Sequence, residues 1–257
     1  MDFETLELKV NGDTATILLN QPKKLNPLST QALEELATAA QHVDTCLNVK
    51  VVTVSGAGRA FSAGADVSAF ASSANAPFPR NAGDAGRRMA DALEAMKAIA
   101  VAKIHGWCVG GGLVVAAACD LRLAADNAMF SIPEVDLGIP LAWGGIPRLV
   151  REIGPALTKE LVMTCRPFDA SEAKAAGFLN RVVPADQLDQ AVAELVETLA
   201  SKPLYALTAT KAHTNAVTAQ MVGVSNAWSD ADGLMAGLRD TEGKASAKRY
   251  LDRMASK

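Results

Sequence analysis

The segment Val101-Ala-Lys-Ile-His-Gly-Trp-Cys-Val-Gly-Gly-Gly-Leu-Val-Val-Ala-Ala-Ala-Cys119 joins a strand-like run, a glycine-rich turn and a very apolar helix. The strand is predicted from Val101 to Trp107, and the turn contains Gly110, Gly111 and Gly112. Glycine allows close approach of a backbone to a ligand, and the first turn of a helix has unpaired N–H groups at its positive dipole end. The segment therefore predicts a βα unit whose turn can donate backbone hydrogen bonds.

A second turn of the same kind is Phe61-Ser-Ala-Gly-Ala-Asp66, which follows a predicted buried strand from Lys50 to Val54. Donors from two such turns that converge on one oxygen form an oxyanion hole, and each donor contributes roughly 3 to 4 kcal/mol of transition-state stabilisation. Either turn alone is weak evidence, because tight packing also explains a glycine-rich turn. Because two such turns occur in this chain, their backbone N–H groups are the candidate site.

Strand and helix patterns alternate through the first part of the chain. Residues 6–19 alternate and turn at Asn11-Gly12-Asp13, which predicts a β-hairpin, and Ser29 is a predicted N-cap. After about Ala185 the patterns are only helical, which predicts an α/β core followed by a helical C-terminal part. These later helices are predicted over residues 187–200, 203–222 and 234–254.

The stretch from Phe70 to Gly86 is rich in Ala, Ser, Asn and Pro and has no periodicity. It predicts a mobile loop, and a loop of that length inside a compact domain is often functional. The helix predicted after it carries the apolar residues Met89, Leu93, Met96 and Ile99.

The sequence Asp169-Ala-Ser-Glu172 has the D-x-x-E pattern of a helix capping box. Ser171-Glu-Ala-Lys174 overlaps it and fits the S-x-x-K pattern of penicillin-recognising hydrolases. The capping interpretation is favoured, because the companion motifs of those hydrolases are missing from the sequence.

Composition excludes several classes of protein. The chain has 257 residues, of which 49% are hydrophobic, so it can bury a large core. A net charge of -3 with scattered Lys and Arg argues against nucleic-acid binding. The first residues are acidic where a signal peptide needs basic ones, and the longest apolar run, Leu113 to Cys119, is too short for a membrane span. We therefore expect a cytoplasmic protein with no membrane partner.

The cysteine pattern argues against a metal site. The four cysteines have no C-x-x-C spacing, and the three histidines add no metal-ligand cluster. We expect structural thiols in a reducing compartment. They are Cys46, Cys108, Cys119 and Cys165.

The order of several motifs resembles the crotonase superfamily, the enoyl-CoA hydratases and isomerases. Gly58-Arg-Ala-Phe-Ser-Ala-Gly-Ala-Asp66 is similar to the family's first oxyanion-hole motif, and His105-Gly-Trp-Cys-Val-Gly-Gly-Gly112 is similar to its second. Asn20-Gln-Pro-Lys-Lys-Leu-Asn-Pro-Leu-Ser29 resembles the first CoA-contacting segment. Cys119-Asp-Leu-Arg122 and Ala128-Met-Phe-Ser-Ile-Pro-Glu134 match the stretch that carries a catalytic glutamate.

This resemblance covers nearly the whole chain and implies its architecture. We expect an α/β fold with a crotonase-like ββα superhelix, or spiral, as the core over residues 1–195. A helical trimerisation region is expected over residues 196–257. The family assembles as a trimer or a dimer of trimers, so a homotrimer or hexamer is expected here.

The resemblance also implies residue roles at an acyl-CoA site. Ala65 and Gly111 would donate N–H groups to the thioester oxygen, Ala63 would meet the adenine, and Lys24 and Leu25 would line the pantetheine and phosphate path. Coenzyme A would enter as part of the substrate, with no other cofactor. The remaining expected substrate-binding residues are Asp66, Val67, Gly110, Val114, Pro133 and Leu137. Asp66 has a rival interpretation as a helix cap.

Glu134 is the candidate acid/base. A carboxylate beside the apolar Ile132 and Pro133 is expected to have a raised pKa, suited to moving a proton next to a thioester carbonyl. The competing interpretation is a solvated surface glutamate, the usual environment of this residue. The resemblance favours the catalytic role.

Val114 departs from the hydratase pattern. Hydratases of this family have a second glutamate there, and the two carboxylates hold the water that adds to the double bond. A valine can neither orient water nor transfer a proton. The remaining carboxylate matches the isomerase branch, in which one glutamate moves a proton from C2 to C4, so we favour isomerisation over hydration.

Other reactions are less well supported. Dienoyl isomerases place acids at the positions of Val114 and Leu141, which are apolar here, and a thioester hydrolase or dehalogenase would need a nucleophile or acid near them. Asp136 is a possible rescuing acid, but a two-residue offset on a strand places it on the same face as Glu134 without reaching the same atom. Local backbone bonding explains an aspartate there more simply. A non-catalytic acyl-CoA-binding protein remains an alternative.

The three tryptophans, Trp107, Trp143 and Trp228, are most simply packing residues. Trp143 follows Leu141 closely enough to line an acyl pocket.

Overall fold

The first two strands form the predicted hairpin. The computed structural model describes residues 1–66, 80–227 and 229–255. Strand β1 (Leu6–Asn11) pairs antiparallel with β2 (Thr14–Leu19), and Asn11 lies opposite Thr14. Gly12 has a φ of 64° in the turn, where glycine is favoured. The hairpin prediction is confirmed.

The hairpin continues into a six-stranded sheet of order β1-β2-β3-β4-β6-β9, in which every later pairing is parallel. Strands β3 and β4 are buried almost throughout, which explains their continuous apolar sequences. A second sheet has the order β5-β7-β8. The strands after the hairpin are β3 (Val51–Gly56), β4 (Ile99–Ile104), β5 (Trp107–Val109), β6 (Leu121–Ala125), β7 (Met129–Ser131), β8 (Phe168–Asp169) and β9 (Arg181–Val183).

Both predicted helix caps are confirmed. The Ser29 hydroxyl accepts a hydrogen bond from the Ala32 N–H at 3.2 Å, and the Asp169 carboxylate accepts one from the Glu172 N–H at 2.8 Å. The described helices are α1 (Thr30–Thr45), α2 (Arg80–Ala95), α3 (Gly111–Ala118), α4 (Gly145–Thr164), α5 (Ala170–Ala175), α6 (Leu188–Ala200), α7 (Leu204–Met221), α8 (Asp230–Arg239) and α9 (Thr241–Ala255).

The loop predicted over residues 70–86 is wrong for its last part. Residues 80–86 form the first turns of α2, while residues 70–79 lie outside the described residues. The buried side of these turns consists of Gly83, Ala85 and Gly86, which carry little hydrophobic signal. The helix also ends before Ile99, which begins β4.

Two further boundaries differ from prediction. The strand expected to reach Trp107 stops at Ile104, because Gly106 has a φ of 56° and turns the chain into β5. The single helix expected over residues 234–254 is two helices, α8 and α9, that meet at Asp240. The Asp240 carboxylate accepts the Gly243 N–H at 2.6 Å, so it caps a new helix.

The fold class is confirmed as mixed α/β with a helical C-terminal region. The predicted division at residues 195 and 196 falls inside α6, and the division into two domains stays a prediction. None of the helices in the described ranges is long and apolar enough to cross a membrane.

Candidate active site

The first glycine-rich turn has nearly all of its N–H groups occupied. Those of Phe61, Ser62 and Ala63 bond the carbonyls of His105, Trp107 and Leu25 at 2.8 to 3.1 Å, and that of Gly64 bonds the Ser62 hydroxyl at 3.1 Å. The Asp66 N–H bonds the Leu28 carbonyl at 3.2 Å. The Ala65 N–H alone in this turn has no acceptor among the described residues. It is therefore available to a ligand.

The second turn ends in α3. The Gly110 N–H bonds the Ser131 carbonyl at 2.8 Å, and Gly111 is the first residue of the helix. Its N–H has no acceptor in the described part of the chain, as expected for a first helical residue. Gly64 packs so closely on this turn that a Cβ there would lie 2.7 Å from the Val109 oxygen and 3.6 Å from the Gly111 nitrogen. The two turns are thus held against each other.

Glu134 lies beside the second turn. It follows β7 in a tight turn and is only 8% exposed. Its Oε2 is buried and has no hydrogen-bond partner within the described residues. Burial raises the pKa of Glu134 to about 7, and a bond from its own backbone opposes that rise. The expected raised pKa is borne out, and this carboxyl can gain or lose a proton near neutral pH.

A small cavity of about 30 Å³ joins these groups. Ala65, Gly111 and Glu134 contribute to its wall, and Glu134 is the single titratable residue among the described residues that line it. The other lining residues are apolar: Ile139, Pro140, Leu141, Ala142, Trp143 and Leu234. The arrangement can place an oxygen at the two free N–H groups and a carbon beside one carboxylate.

The region around Val114 has no second acid in the described ranges. Val114 is 1% exposed, and a Cβ on Gly145 would lie 3.0 Å from its Cγ2 and 2.9 Å from the Leu141 Cγ. Asp136 lies on the turn after Glu134, and not on a strand as considered above. Its carboxylate is 3.2 Å from the Arg253 guanidinium and does not line the cavity, so it is not a rescuing acid.

Comparison with known proteins identifies the family. A family model described as enoyl-CoA hydratase/isomerase matches residues 9–256. The chain belongs to the enoyl-CoA hydratase/isomerase family. This confirms its place in the crotonase superfamily and makes it an enoyl-CoA hydratase or isomerase.

Relatives within this family carry both kinds of name. The chain is 35% identical over 216 residues to a crotonyl-CoA hydratase of Syntrophomonas wolfei, covering 84% of this chain and 83% of that protein. It is 33% identical over 225 residues to a peroxisomal Delta(3,5)-Delta(2,4)-dienoyl-CoA isomerase of Arabidopsis thaliana, covering 82% and 81%. A crystal structure of an enoyl-CoA hydratase from Mycobacterium avium subsp. paratuberculosis superimposes with a TM-score of 0.87 at 26% identity, covering 96% and 99%. The crotonase-like fold is confirmed.

The predicted CoA segment of this family member packs against the first turn. Leu25 has a φ of 62°, and its carbonyl accepts the Ala63 N–H at 2.8 Å, so that N–H is already occupied. Asn26 is buried, and its amide donates to the Ala57 and Ala60 carbonyls at 2.9 Å. The sequence analysis did not predict a role for Asn26. The signal that could have indicated it is a short polar side chain directly after Leu25. Lys24 is exposed at the end of a short 3-10 helix.

The remaining predicted site residues are Pro133, Leu137, Val67 and Asp66. Pro133 is buried beside Glu134, and its carbonyl accepts the Leu137 N–H at 3.0 Å, so both shape the Glu134 turn without lining the cavity. Val67 lies outside the described residues. The helix that Asp66 would cap would also begin there, so both interpretations of Asp66 remain open.

The C-terminal helices of this family member close the site, which sequence reasoning missed. Leu234 of α8 lines the cavity. On α9, Gly243 packs against Gly138 so closely that a Cβ on Gly243 would lie 2.8 Å from the Gly138 oxygen. Burial, and then the charges of Glu134 and Asp136, raise the pKa of Tyr250. No sequence period links positions a hundred residues apart, so no local signal could have found these contacts.

Proposed function

We propose that this chain is an enoyl-CoA isomerase that uses Glu134 as its single acid/base. The observation that carries the proposal is the buried Oε2 of Glu134, which has no hydrogen-bond partner among the described residues, in a cavity also lined by Ala65 and Gly111, whose N–H groups have no acceptor in the same part of the chain. The substrate would be a 3-enoyl-CoA, with coenzyme A as part of the substrate and no further cofactor.

The proposed reaction moves one proton. The Glu134 carboxylate removes a proton from C2 of the thioester, and the electron pair moves onto the carbonyl oxygen to form a dienolate. Ala65 and Gly111 donate their N–H groups to that oxygen, each contributing roughly 3 to 4 kcal/mol. Glu134, now protonated, returns the proton at C4, the double bond forms between C2 and C3, and the carboxylate is regenerated.

The pKa of Glu134 suits both halves of this cycle. A group with a pKa of about 7 is ionised often enough to act as base and is acidic enough to return the proton at neutral pH. A fully solvated glutamate with a pKa near 4.3 would be a much weaker base. Burial by apolar neighbours therefore supports proton transfer at carbon.

Hydration of a 2-enoyl-CoA is the second candidate, because a relative 35% identical to the chain is named a crotonyl-CoA hydratase. Against hydration stands the apolar wall at Leu141, with Val114 and Gly145 packed together beside it outside the cavity lining, where the family's hydratases would need a second water-binding carboxylate. This wall also lacks the nucleophile that a thioester hydrolase would use.

The test is a panel of 2-enoyl and 3-enoyl thioesters assayed for hydration and isomerisation. We expect isomerisation to dominate and Glu134→Gln to reduce it by at least about 100-fold while saturated acyl-CoA still binds. Glu194→Gln, an exposed glutamate of α6, is the matched control and should keep full activity. Dominant hydration, or full turnover by Glu134→Gln, would overturn the proposal.

Isotope exchange distinguishes an enzyme from a non-catalytic acyl-CoA-binding protein. We expect the wild type in D2O to place deuterium at C2 of saturated acyl-CoA, and Glu134→Gln to place none. Binding without exchange in the wild type would favour the binding protein. A cytoplasmic location and assembly as a trimer or dimer of trimers remain part of the proposal.

A further inference from the structure

The indole of Trp143 is inserted between two glycines beside the oxyanion hole. A Cβ on Gly86 of α2 would overlap the pyrrole side of the ring, and a Cβ on Gly111 would overlap Cζ3 and lie 2.9 Å from Cη2. Trp143 is only 8% exposed. One face of the candidate oxyanion donor Gly111 is therefore covered by an aromatic ring.

Trp143 is also held in a rare backbone conformation. Its φ is 61°, a left-handed value that is unfavourable for a bulky residue and persists only where neighbours enforce it. Arg148 donates from Nη1 to the Trp143 carbonyl at 3.2 Å and to the Gly144 carbonyl at 3.3 Å. The Gly144 N–H donates to the Asp230 carboxylate. The peptide group that follows the strained residue is thus fixed by hydrogen bonds at both its carbonyl and its N–H.

The same helix supports the ring and its anchor. Arg148 is fully buried and bonds Asp91 at 2.8 Å and Glu94 at 2.6 Å, both on α2, which also carries Gly86. A buried charge with well-placed partners resists displacement. The indole therefore forms a rigid wall and not a side chain that swings aside.

We infer that Trp143 sets the acyl-chain length of the substrate, and that the enzyme selects short-chain acyl thioesters of about four carbons over those of eight or more. The cavity beside Glu134 measures about 30 Å³, room for roughly one or two water molecules, and Trp143, Leu141 and Leu234 form its wall. Each surplus methylene in an apolar pocket changes discrimination by roughly 10-fold or more. This inference rests on the proposed acyl-CoA site.

The test is the binding of saturated butanoyl-CoA and octanoyl-CoA, which needs no reaction. We expect the wild type to bind butanoyl-CoA at least about 10-fold more tightly than octanoyl-CoA. Trp143→Gly removes the ring and accepts a positive φ without strain, so it should bind octanoyl-CoA at least 10-fold better than the wild type. Trp107→Ala, at a 43% exposed tryptophan away from the cavity, should leave both affinities unchanged.

Two results would overturn the inference: wild-type binding of octanoyl-CoA as tight as that of butanoyl-CoA, or an unchanged ratio in folded Trp143→Gly. If Trp143→Gly fails to fold, Trp143→Phe serves, with a smaller ring and an expected gain for hexanoyl-CoA. If the protein hydrates 2-enoyl-CoA and still prefers short chains, the role of Trp143 in chain-length selection is supported while single-base isomerisation is refuted. The failures of the two proposals are therefore distinguishable.

Discussion

Glu134 Oε1 lies directly against the Cα of Gly110, at the place that a side chain on residue 110 would occupy. A Cβ there would overlap Oε1 and lie 3.1 Å from the Glu134 Cδ. Gly110 directly precedes α3 and the donor Gly111. It therefore also forms the surface against which the Glu134 carboxyl packs. A side chain on residue 110 would therefore displace the Glu134 carboxyl from its position next to the second turn.

Gly110→Ala should therefore displace the Glu134 carboxyl. Gly110 has a φ of 47° and a ψ of -112°, so alanine adds backbone strain to the overlap. We expect kcat/KM to fall by about 100-fold, comparable to the loss of a positioned acid/base. Gly12→Ala is the control, because Gly12 has a φ of 64° in a surface turn with nothing within 4 Å of its Cβ position. It should lose about 1 kcal/mol of stability and keep its activity; equal activity losses in both variants would contradict the contact.

The rate should depend on the ionisation of Glu134. Its pKa of about 7 predicts that kcat/KM rises nearly tenfold per pH unit below pH 6 and levels above about pH 7.5. Saturated acyl-CoA binding across the same range controls for titration of the ligand phosphates. A rate that is already constant from pH 5 upward would show that the base is a carboxylate with an ordinary pKa.

Glu134→Gln should stabilise the folded protein above neutral pH. The folded pKa of about 7 exceeds the ordinary glutamate pKa of 4.5, so the wild type loses stability as pH rises through this interval. At pH 8 the variant should be more stable by about 3 kcal/mol, and at pH 5 by less than about 1 kcal/mol. Urea unfolding at the two pH values measures this, with Glu194→Gln expected to show no difference. A variant less stable than the wild type at pH 8 would mean that the carboxylate has a stabilising partner.

Val114→Glu should introduce hydration. Val114 packs near Leu141, which lines the cavity with Glu134, so a longer carboxylate side chain at this position of α3 is expected to reach the cavity, where two acids can hold a water molecule. We expect at least a tenfold gain in hydration of a 2-enoyl-CoA, at a stability loss of about 3 kcal/mol for burying a polar group. Val114→Gln has the same size and cannot ionise, so it should lose stability without gaining hydration. Equal hydration by both variants would remove the second acid from the explanation.

The local sequence was sufficient to predict the hairpin, the helix caps at Ser29 and Asp169, and the two glycine-rich turns. Each depends on contacts within a few residues, which the order of side chains specifies directly. The start of α2 was missed because the buried stripe there begins with glycine and alanine, whose burial leaves no hydrophobic pattern. The break at Asp240 was missed because a capping aspartate inside an apolar period resembles a solvated helical residue.

The sequence was also sufficient to predict Glu134 as the single catalytic carboxylate, the absence of a second acid at Val114 and the family to which the motifs belong. It could not show that Ala65 is the donor of its turn without an acceptor among the described residues, because the neighbouring N–H groups bond carbonyls of the distant residues Leu25, Leu28, His105 and Trp107. It could not show that Trp143 covers Gly111, and the raised pKa that it predicted for Glu134 rested on a burial that only the structure establishes. Hydrogen-bond occupancy, ring packing and desolvation depend on groups brought together from distant parts of the chain, so only the tertiary structure decides them.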